Sequence, residues 1–423
     1  HAMRKFYEWI VEHTKTVLTA FLVLTVLSIF MKDLVEVDYD INDYLPEDAP
    51  STVALDVMEE EFEGGIPNAR VMINDLTIPQ ALEYKEKLKQ VDGVSEVTWL
   101  DDAADIHVPL NTIDRDTLET YYKDNAALFT VTIDENKRIQ AVEDIRALIG
   151  EDNAMTGSAV STAVATTSTV KEVMMISAFA VLFVLIVLLI TTPSWIEPLI
   201  VLGGLGVAIA INSGTNLIFG RISFVTNAAG NILQLAVSLD YSVFLIHRFE
   251  ECRLENPDAK SAMVDALMKS TTSILSSGLT TVIGFLALVL MQFRIGPDLG
   301  LALAKGVALS LITVFVFMPD LILVTYRLLD KTRHRELVPS CRGLGKLVRR
   351  LMIPMVCVFL VIFIPAYLAS NQNDYYYGAS HIFGVQTQLG ADTAEIEDVF
   401  GQNDTYVLMV PNNSTATEKE LSD

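Results

Sequence analysis

The sequence predicts an α-helical polytopic membrane protein with seven spanning helices and one polar α+β domain. Three observations carry that reading: long uncharged apolar runs, an acidic excess confined to one stretch, and the order of strands and helices within that stretch. Of 423 residues, 51% are hydrophobic, and they come in blocks. A helix needs about 20 apolar residues to cross the hydrocarbon core of a bilayer. Runs 173–196, 198–220, 270–293 and 351–370 reach that length without a charge. Three more candidates are less clean: 16–31 is short, 222–246 contains Asp240, and 299–319 contains Lys305.

Residues 1–15 are expected to form a cytoplasmic N-terminus, with His1-Ala2-Met3 reading as a cloning scar. The first span, 16–31, follows basic residues as a signal peptide would, but Ser28-Ile29-Phe30-Met31-Lys32 offers no small-x-small cleavage site. It therefore reads as a retained helix. An outer domain, 32–170, comes next. The remaining spans fall at 171–196, 197–220, 222–247, 270–293, 297–325 and 351–370, with a cytoplasmic loop at 248–269 and a basic linker at 326–350. Residues 371–423 begin a second outer domain.

Charge sets the orientation. The stretch 32–170 holds 30 Asp and Glu against 10 Lys and Arg, which is most of the net −23 of the chain. The linker 326–350 carries eight Lys and Arg against Asp330 and Glu336. Basic residues in short loops mark the cytoplasmic side, so 326–350 lies inside and 32–170 outside. Cys252 and Cys341 fall in inner loops and Cys357 in a helix, which leaves the outer domain without a disulfide. The acidic outer face also excludes nucleic acid as a partner, because phosphate binding needs a basic footprint.

Within the outer domain, alternation predicts strands at 68–75, 94–100, 127–133 and 154–160. Helices are expected at 79–90, at 114–123 with Asp114 as N-cap, and at 135–149 ended by Gly150. The order β-α-β, β-α-β is that of a split, ferredoxin-like unit. The Ser, Thr and Ala run 158–169 leads into the second span as one helix. A short repeat supports a two-fold plan. Met58-Glu59-Glu60-Glu61-Phe62 and Arg70-Val71-Met72-Ile73 follow the first span. Ile396-Glu397-Asp398-Val399-Phe400 and Tyr406-Val407-Leu408-Met409 follow the seventh. Internal repeats of this kind are common in transporters.

The residue that stands out chemically is Asp240, inside the fourth span and followed by Tyr241. A carboxylate at membrane depth is costly, so it marks a functional site or reaches for a helix-end partner such as Arg248. Ala236, one turn away, permits close helix contact, and Phe244 shares the same face. Asn227, Asn231, Gln234 and Ser238 form a second stripe at helical spacing, opposite Asp240; they read either as interhelical hydrogen bonds or as a cavity lining. Ser277 and Thr280 belong to a hydroxyl-rich half of the fifth span and carry the same two readings, since Ser and Thr also bond their own helix carbonyls. Lys305 is expected to reach outward or to pair with Asp298. No P-loop, HExxH or GxSxG is present, and the scattered histidines have no metal spacing, so neither enzyme chemistry nor a metal or cofactor is expected.

The stretch Asp240-Tyr241-Ser242-Val243-Phe244-Leu245-Ile246-His247-Arg248-Phe249-Glu250-Glu251 resembles the fourth-helix motif of MMPL-type transporters, the "mycobacterial membrane protein large" branch of the resistance–nodulation–division superfamily. Ser277-Gly278-Leu279-Thr280 is similar to their fifth span. Residues 293–306 resemble Gram-positive variants. Ala236 departs from the family's usual Gly at that position. The resemblance implies a bacterial cytoplasmic-membrane antiporter with an outer porter domain. Asp240 and Tyr241 would face a matching Asp-Tyr pair in the second half of the same transporter. The proton is the coupling ion, and the substrate is a hydrophobic or amphiphilic molecule such as a lipid or drug. Two alternatives are a sterol-sensing or receptor-like protein and an accessory subunit of protein translocation.

Overall fold

A computed structural model describes residues 2–38, 44–61, 66–335, 337, 342–373 and 383–402. The chain opens with α1 (Ala2–Glu12), α2 (Thr14–Lys32), β1 (Glu36–Asp38) and α3 (Pro50–Glu61). The mixed region follows: β2 (Ala69–Ile73), α4 (Ile78–Lys89), β3 (Val94–Thr98), the single turn α5 (Leu100–Ala103), α6 (Arg115–Tyr121), β4 (Tyr122–Lys123), β5 (Ala126–Ile133), α7 (Arg138–Ile149) and β6 (Ala154–Thr156). Then come α8 (Ser158–Thr191), α9 (Glu197–Thr215), β7 (Arg221–Ser223), α10 (Phe224–Glu255) and α11 (Ala259–Ala287). The last are α12 (Ile295–Ile312), α13 (Met318–Lys331), α14 (Arg342–Ser370) and α15 (Gln388–Phe400). These elements divide into a helical unit, 1–39 with 170–375, and an α/β unit, 40–169 with 376–423.

Among the described residues, seven helical stretches are long and apolar enough to cross a membrane: Thr14–Lys32, Ser158–Thr191, Glu197–Phe219, Phe224–Glu255, Ala259–Leu290, Ile295–Lys331 and Gly343–Ser370. The protein is a multi-pass membrane protein. Several of these helices run past the apolar segments that announce them. α11 starts at Ala259 because Asp258 caps it, accepting from the Ser261 amide at 3.1 Å, and its first turns bury Ala262, Met263 and Ala266. The stretch 295–331 is continuous but carries a π-helical turn over Thr313–Phe317. Pro319 lacks an N–H and its ring crowds the carbonyl four residues back, so the wider turn absorbs the break.

In the helical unit, α2 and α9 approach until a Cβ on Gly214 would stand 2.3 Å from the Ser28 carbonyl oxygen. Short parallel strands β1 and β7 pair Glu36 with Arg221 and Asp38 with Ser223. The core is packed from Val201, Leu245, Ile246, Phe249, Leu267 and Met318, among others. α14 is exposed along its whole described length.

The α/β unit has an antiparallel sheet in the order β3-β5-β2-β6, with β4 hairpinned onto β5. The β4–β5 turn, Asp124-Asn125, takes positive φ at both residues (52° and 60°), as tight two-residue hairpins require. Asp114 caps α6 by accepting from the Thr117 amide at 3.1 Å. β6 stops at Thr156, short of the expected 160, because Gly157 turns at φ 126° where a Cβ would strike the Asn68 carbonyl oxygen. Trp99 and Phe129 are fully buried at the centre. α15, from the second repeat, covers the β6 edge. Its Asp392 holds Arg146 and accepts from the Met155 amide at 3.1 Å. Phe62, Cys341, His381 and the expected strand 406–409 lie outside the described residues.

Candidate functional site

α10 carries polar residues on two faces. Its start is fixed twice: Ser223 caps it through the Thr226 amide at 3.1 Å, and Asp298 accepts from the Ser223 amide at 2.9 Å and the Thr226 hydroxyl at 2.5 Å. From that anchor, helical period places Leu233, Ala236, Asp240, Phe244 and His247 on one face. All five are exposed. These five positions are therefore uncovered by the described residues, and Asp240 is the one acid among them. Arg248 does not pair with it. The guanidinium bonds Glu251 at 2.7 Å and lies over the Phe244 ring at 5.5 Å.

Tyr241 goes elsewhere. It is 5% exposed and belongs to the helical core with Leu245 and Phe249, so the two neighbours in sequence point in different directions. Ser277 and Thr280 are exposed on α11, and the Thr280 hydroxyl donates to the Ser276 carbonyl at 2.7 Å, an ordinary intrahelical bond.

The opposite stripe of α10 divides between its two expected roles. Asn227 and Asn231 line a cavity of about 180 Å³ together with Lys32, Asp33, Asn212 and Asn216. Asn231 also accepts from the Ser213 hydroxyl at 3.0 Å. Gln234 does not line that cavity. Fully buried, it donates to the Gly306 carbonyl at 2.9 Å and the Ser310 hydroxyl at 3.1 Å, tying α10 to α12. Gly306 has no side chain because a Cβ would meet the Asn212 amide nitrogen at 2.8 Å.

The expected Lys305–Asp298 pair does not form. Lys305 donates instead to the Asn212 carbonyl (2.9 Å), the Thr215 hydroxyl (2.8 Å) and the Asn216 side-chain oxygen (2.8 Å). The reason is local. The end of α9 presents carbonyl oxygens and the negative end of the helix dipole, which suit a cation. Asp298 sits at the start of α10, where free amides favour an anion.

Two fully buried acids escape the sequence reading. Asp320 is 0% exposed, with Oδ1 accepting from Thr14 and Oδ2 without a partner among the described residues. Glu197 is also 0% exposed, and neither carboxylate oxygen has a hydrogen-bond partner among the described residues. Each borders an apolar run, where an acid normally belongs to a loop. Among the described residues no cluster of His, Cys, Asp and Glu could hold a metal ion.

Comparison with known sequences decides the family. The profile of the MMPL family matches residues 43–351. The chain belongs to the MMPL family. A membrane protein of Methanocaldococcus jannaschii is 23% identical over 333 residues, 67% of this chain and 83% of that one. A membrane protein of Streptomyces coelicolor is 30% identical over 203 residues, 44% of this chain and 23% of its own length. A protein of Mycobacterium tuberculosis named for transport, MmpL12, is 25% identical over 198 residues, 45% of this chain and 17% of its own. This MMPL chain thus spans most of the archaeal relative but less than a quarter of the two bacterial ones.

Proposed function

We propose that the protein exports a hydrophobic or amphiphilic molecule, such as a lipid or drug, across the bacterial cytoplasmic membrane in exchange for protons. The observation that carries the proposal is Asp240, an acid midway along an apolar helix on a face that the described residues leave open. An acid at membrane depth is a functional group by default, and in this reading it is the group that carries the coupling proton. Membership of the MMPL family and the transport name of MmpL12 support the reading.

In this reading the covering surface is the second half of the transporter, with a matching Asp-Tyr pair. Asp240 carries the proton, and Tyr241, packed inside, fixes the helix that holds it. The basic linker 326–350 lies in the cytoplasm and the acidic α/β unit outside. That unit, with its 2-3-1-4 order of the four main strands and with α4 after β2 and α7 after β5, serves as a ferredoxin-like porter domain.

The test is efflux of a lipophilic dye from proteoliposomes holding the complete gene product under an imposed pH gradient. Asp240→Asn should abolish gradient-driven efflux while the protein stays folded. Normal efflux from that variant overturns the coupling role of Asp240.

A further inference from the structure

Glu197 begins α9 in a setting where an acid is expensive. Its side chain is fully buried, and no donor among the described residues bonds either oxygen. Its ionic partner is His247, whose Nε2 stands 3.5 Å from Glu197 Oε1. At that separation the two form an ion pair whenever the ring is protonated. An isolated carboxylate taken out of water must find a cation or give up its charge, and here the cation is one whose charge comes and goes near neutral pH. The His247 side chain is 46% exposed, so it meets both the buried acid and the surroundings.

The second half of the argument is position. His247 lies seven residues after Asp240 on the same exposed face of α10. Two helical turns separate them, about 10 Å along the axis, with Phe244 between. The other charges acting on the pair are Glu250 and Glu251 on α10, with Arg253 and Arg333 acting through Glu250. Glu251 is engaged with Arg248 and Arg253 with Asp330. This leaves Glu197 as the buried acid committed to His247.

We propose that His247, held by Glu197, is the proton-release site on the cytoplasmic side of the Asp240 relay. The step is a proton transfer through intervening water. The Asp240 carboxyl loses its proton and becomes a carboxylate, and the His247 imidazole gains one and becomes an imidazolium beside the Glu197 carboxylate. The imidazolium then gives that proton to water at the inner face and returns to the neutral ring. Glu197 is a positioning residue: it stabilises the charged ring without touching the substrate. The inference rests on the proton-coupled reading above.

The experiment measures dye efflux from proteoliposomes holding the complete gene product, with a fixed pH difference and a varied internal pH. His247→Gln should slow efflux about ten-fold or more and flatten its dependence on internal pH. Glu197→Gln removes the charge that favours the imidazolium. Its half-inhibition by internal acid should therefore move about one pH unit lower, while Glu197→Asp restores the wild-type profile. A purely structural role would change yield or melting without moving that profile. Wild-type rate and profile in both His247→Gln and Glu197→Gln overturn the proposal. His247 is exposed, so His247→Gln decides the matter even where Glu197→Gln fails to fold. Asp240→Asn is run alongside. Normal efflux there sinks the relay itself, whereas loss there with unchanged His247 variants sinks only the release site.

Discussion

The hydroxyl of Thr14 donates a hydrogen bond to Oδ1 of Asp320 at 2.8 Å, joining the first residue of α2 to the helix that follows the π turn. Asp320 is fully buried, and its other oxygen has no partner among the described residues. A buried charge in that setting is costly, whereas a neutral acceptor is not. Asp320→Asn keeps an acceptor for Thr14 and removes the charge. Its melting temperature in detergent should match or exceed that of the wild type. Thr14→Val deletes the donor and should cost about 1 kcal/mol. A large loss in Asp320→Asn would mean that the ionised form is what the fold holds.

The α2–α9 contact gives a sharper packing test. A Cβ on Gly214 would lie 2.3 Å from the Ser28 carbonyl oxygen and 2.5 Å from its Cα, both backbone atoms. A Cβ on Gly204 would meet the sulfur of Met318, the end of a flexible side chain. Backbone cannot step aside, and methionine can. Gly214→Ala should therefore destabilise by about 1–3 kcal/mol, and Gly204→Ala by clearly less. Thermal melts of the two variants side by side would check this, and equal losses would contradict it.

How much of this was legible in the sequence follows from the range of the forces involved. The strands of the α/β unit announce themselves because alternation is local, and Gly150 and Asp114 mark ends through their own backbone and side-chain chemistry. Asp240 is legible because an acid inside an apolar run stands out by composition alone, although only the structure shows that Arg248 bonds Glu251 instead. Glu197 and Asp320 are not. Each stands at the border of such a run, and only tertiary packing shows that α10 closes over the first and that Thr14 reaches the second. Partner choice is equally hidden. Asp298 and Lys305 have opposite charges and helical spacing, yet each is claimed by the end of a different helix. Tyr241 shows the same limit at its smallest scale, since a single residue turns a side chain from the open face into the core.

The separate partners of Lys305 and Asp298 make a prediction about coupling. Lys305→Met should lose about 1–3 kcal/mol by removing three hydrogen bonds from a cation to the end of α9. Asp298→Asn should lose its own share at the start of α10. If the two residues act at different helix ends, the double variant will lose the sum of the two within about 0.5 kcal/mol. A coupling well beyond that, in a double-mutant cycle of melting data, would restore the direct pair.

The α/β unit carries a buried cation whose pH behaviour can be worked out. Lys85 is 2% exposed and bonds Asp101 at 2.8 Å and Asp102 at 2.6 Å. Burial pushes the Lys85 ammonium down, but its two carboxylate partners hold it above the usual lysine value. Burial likewise pushes Asp102 up, and Lys85 with the Trp99 amide holds it below the usual range. The signs follow from linkage. The raised lysine contributes stability that is complete below about pH 10 and fades as pH rises through its folded value. The lowered aspartate contributes stability that is complete above about pH 4 and fades as pH falls through its folded value. The contribution of this cluster should therefore be flat between these limits and fall at both. Lys85→Met removes the centre of the cluster. It should cost about 1–3 kcal/mol near neutral pH, and it should weaken both the acid and the alkaline limbs. Fluorescence of the fully buried Trp99 during thermal melts at stepped pH reports this unit, since Trp9 and Trp195 are half exposed. A Lys85→Met variant that loses stability yet keeps wild-type limbs would assign the pH dependence to other groups.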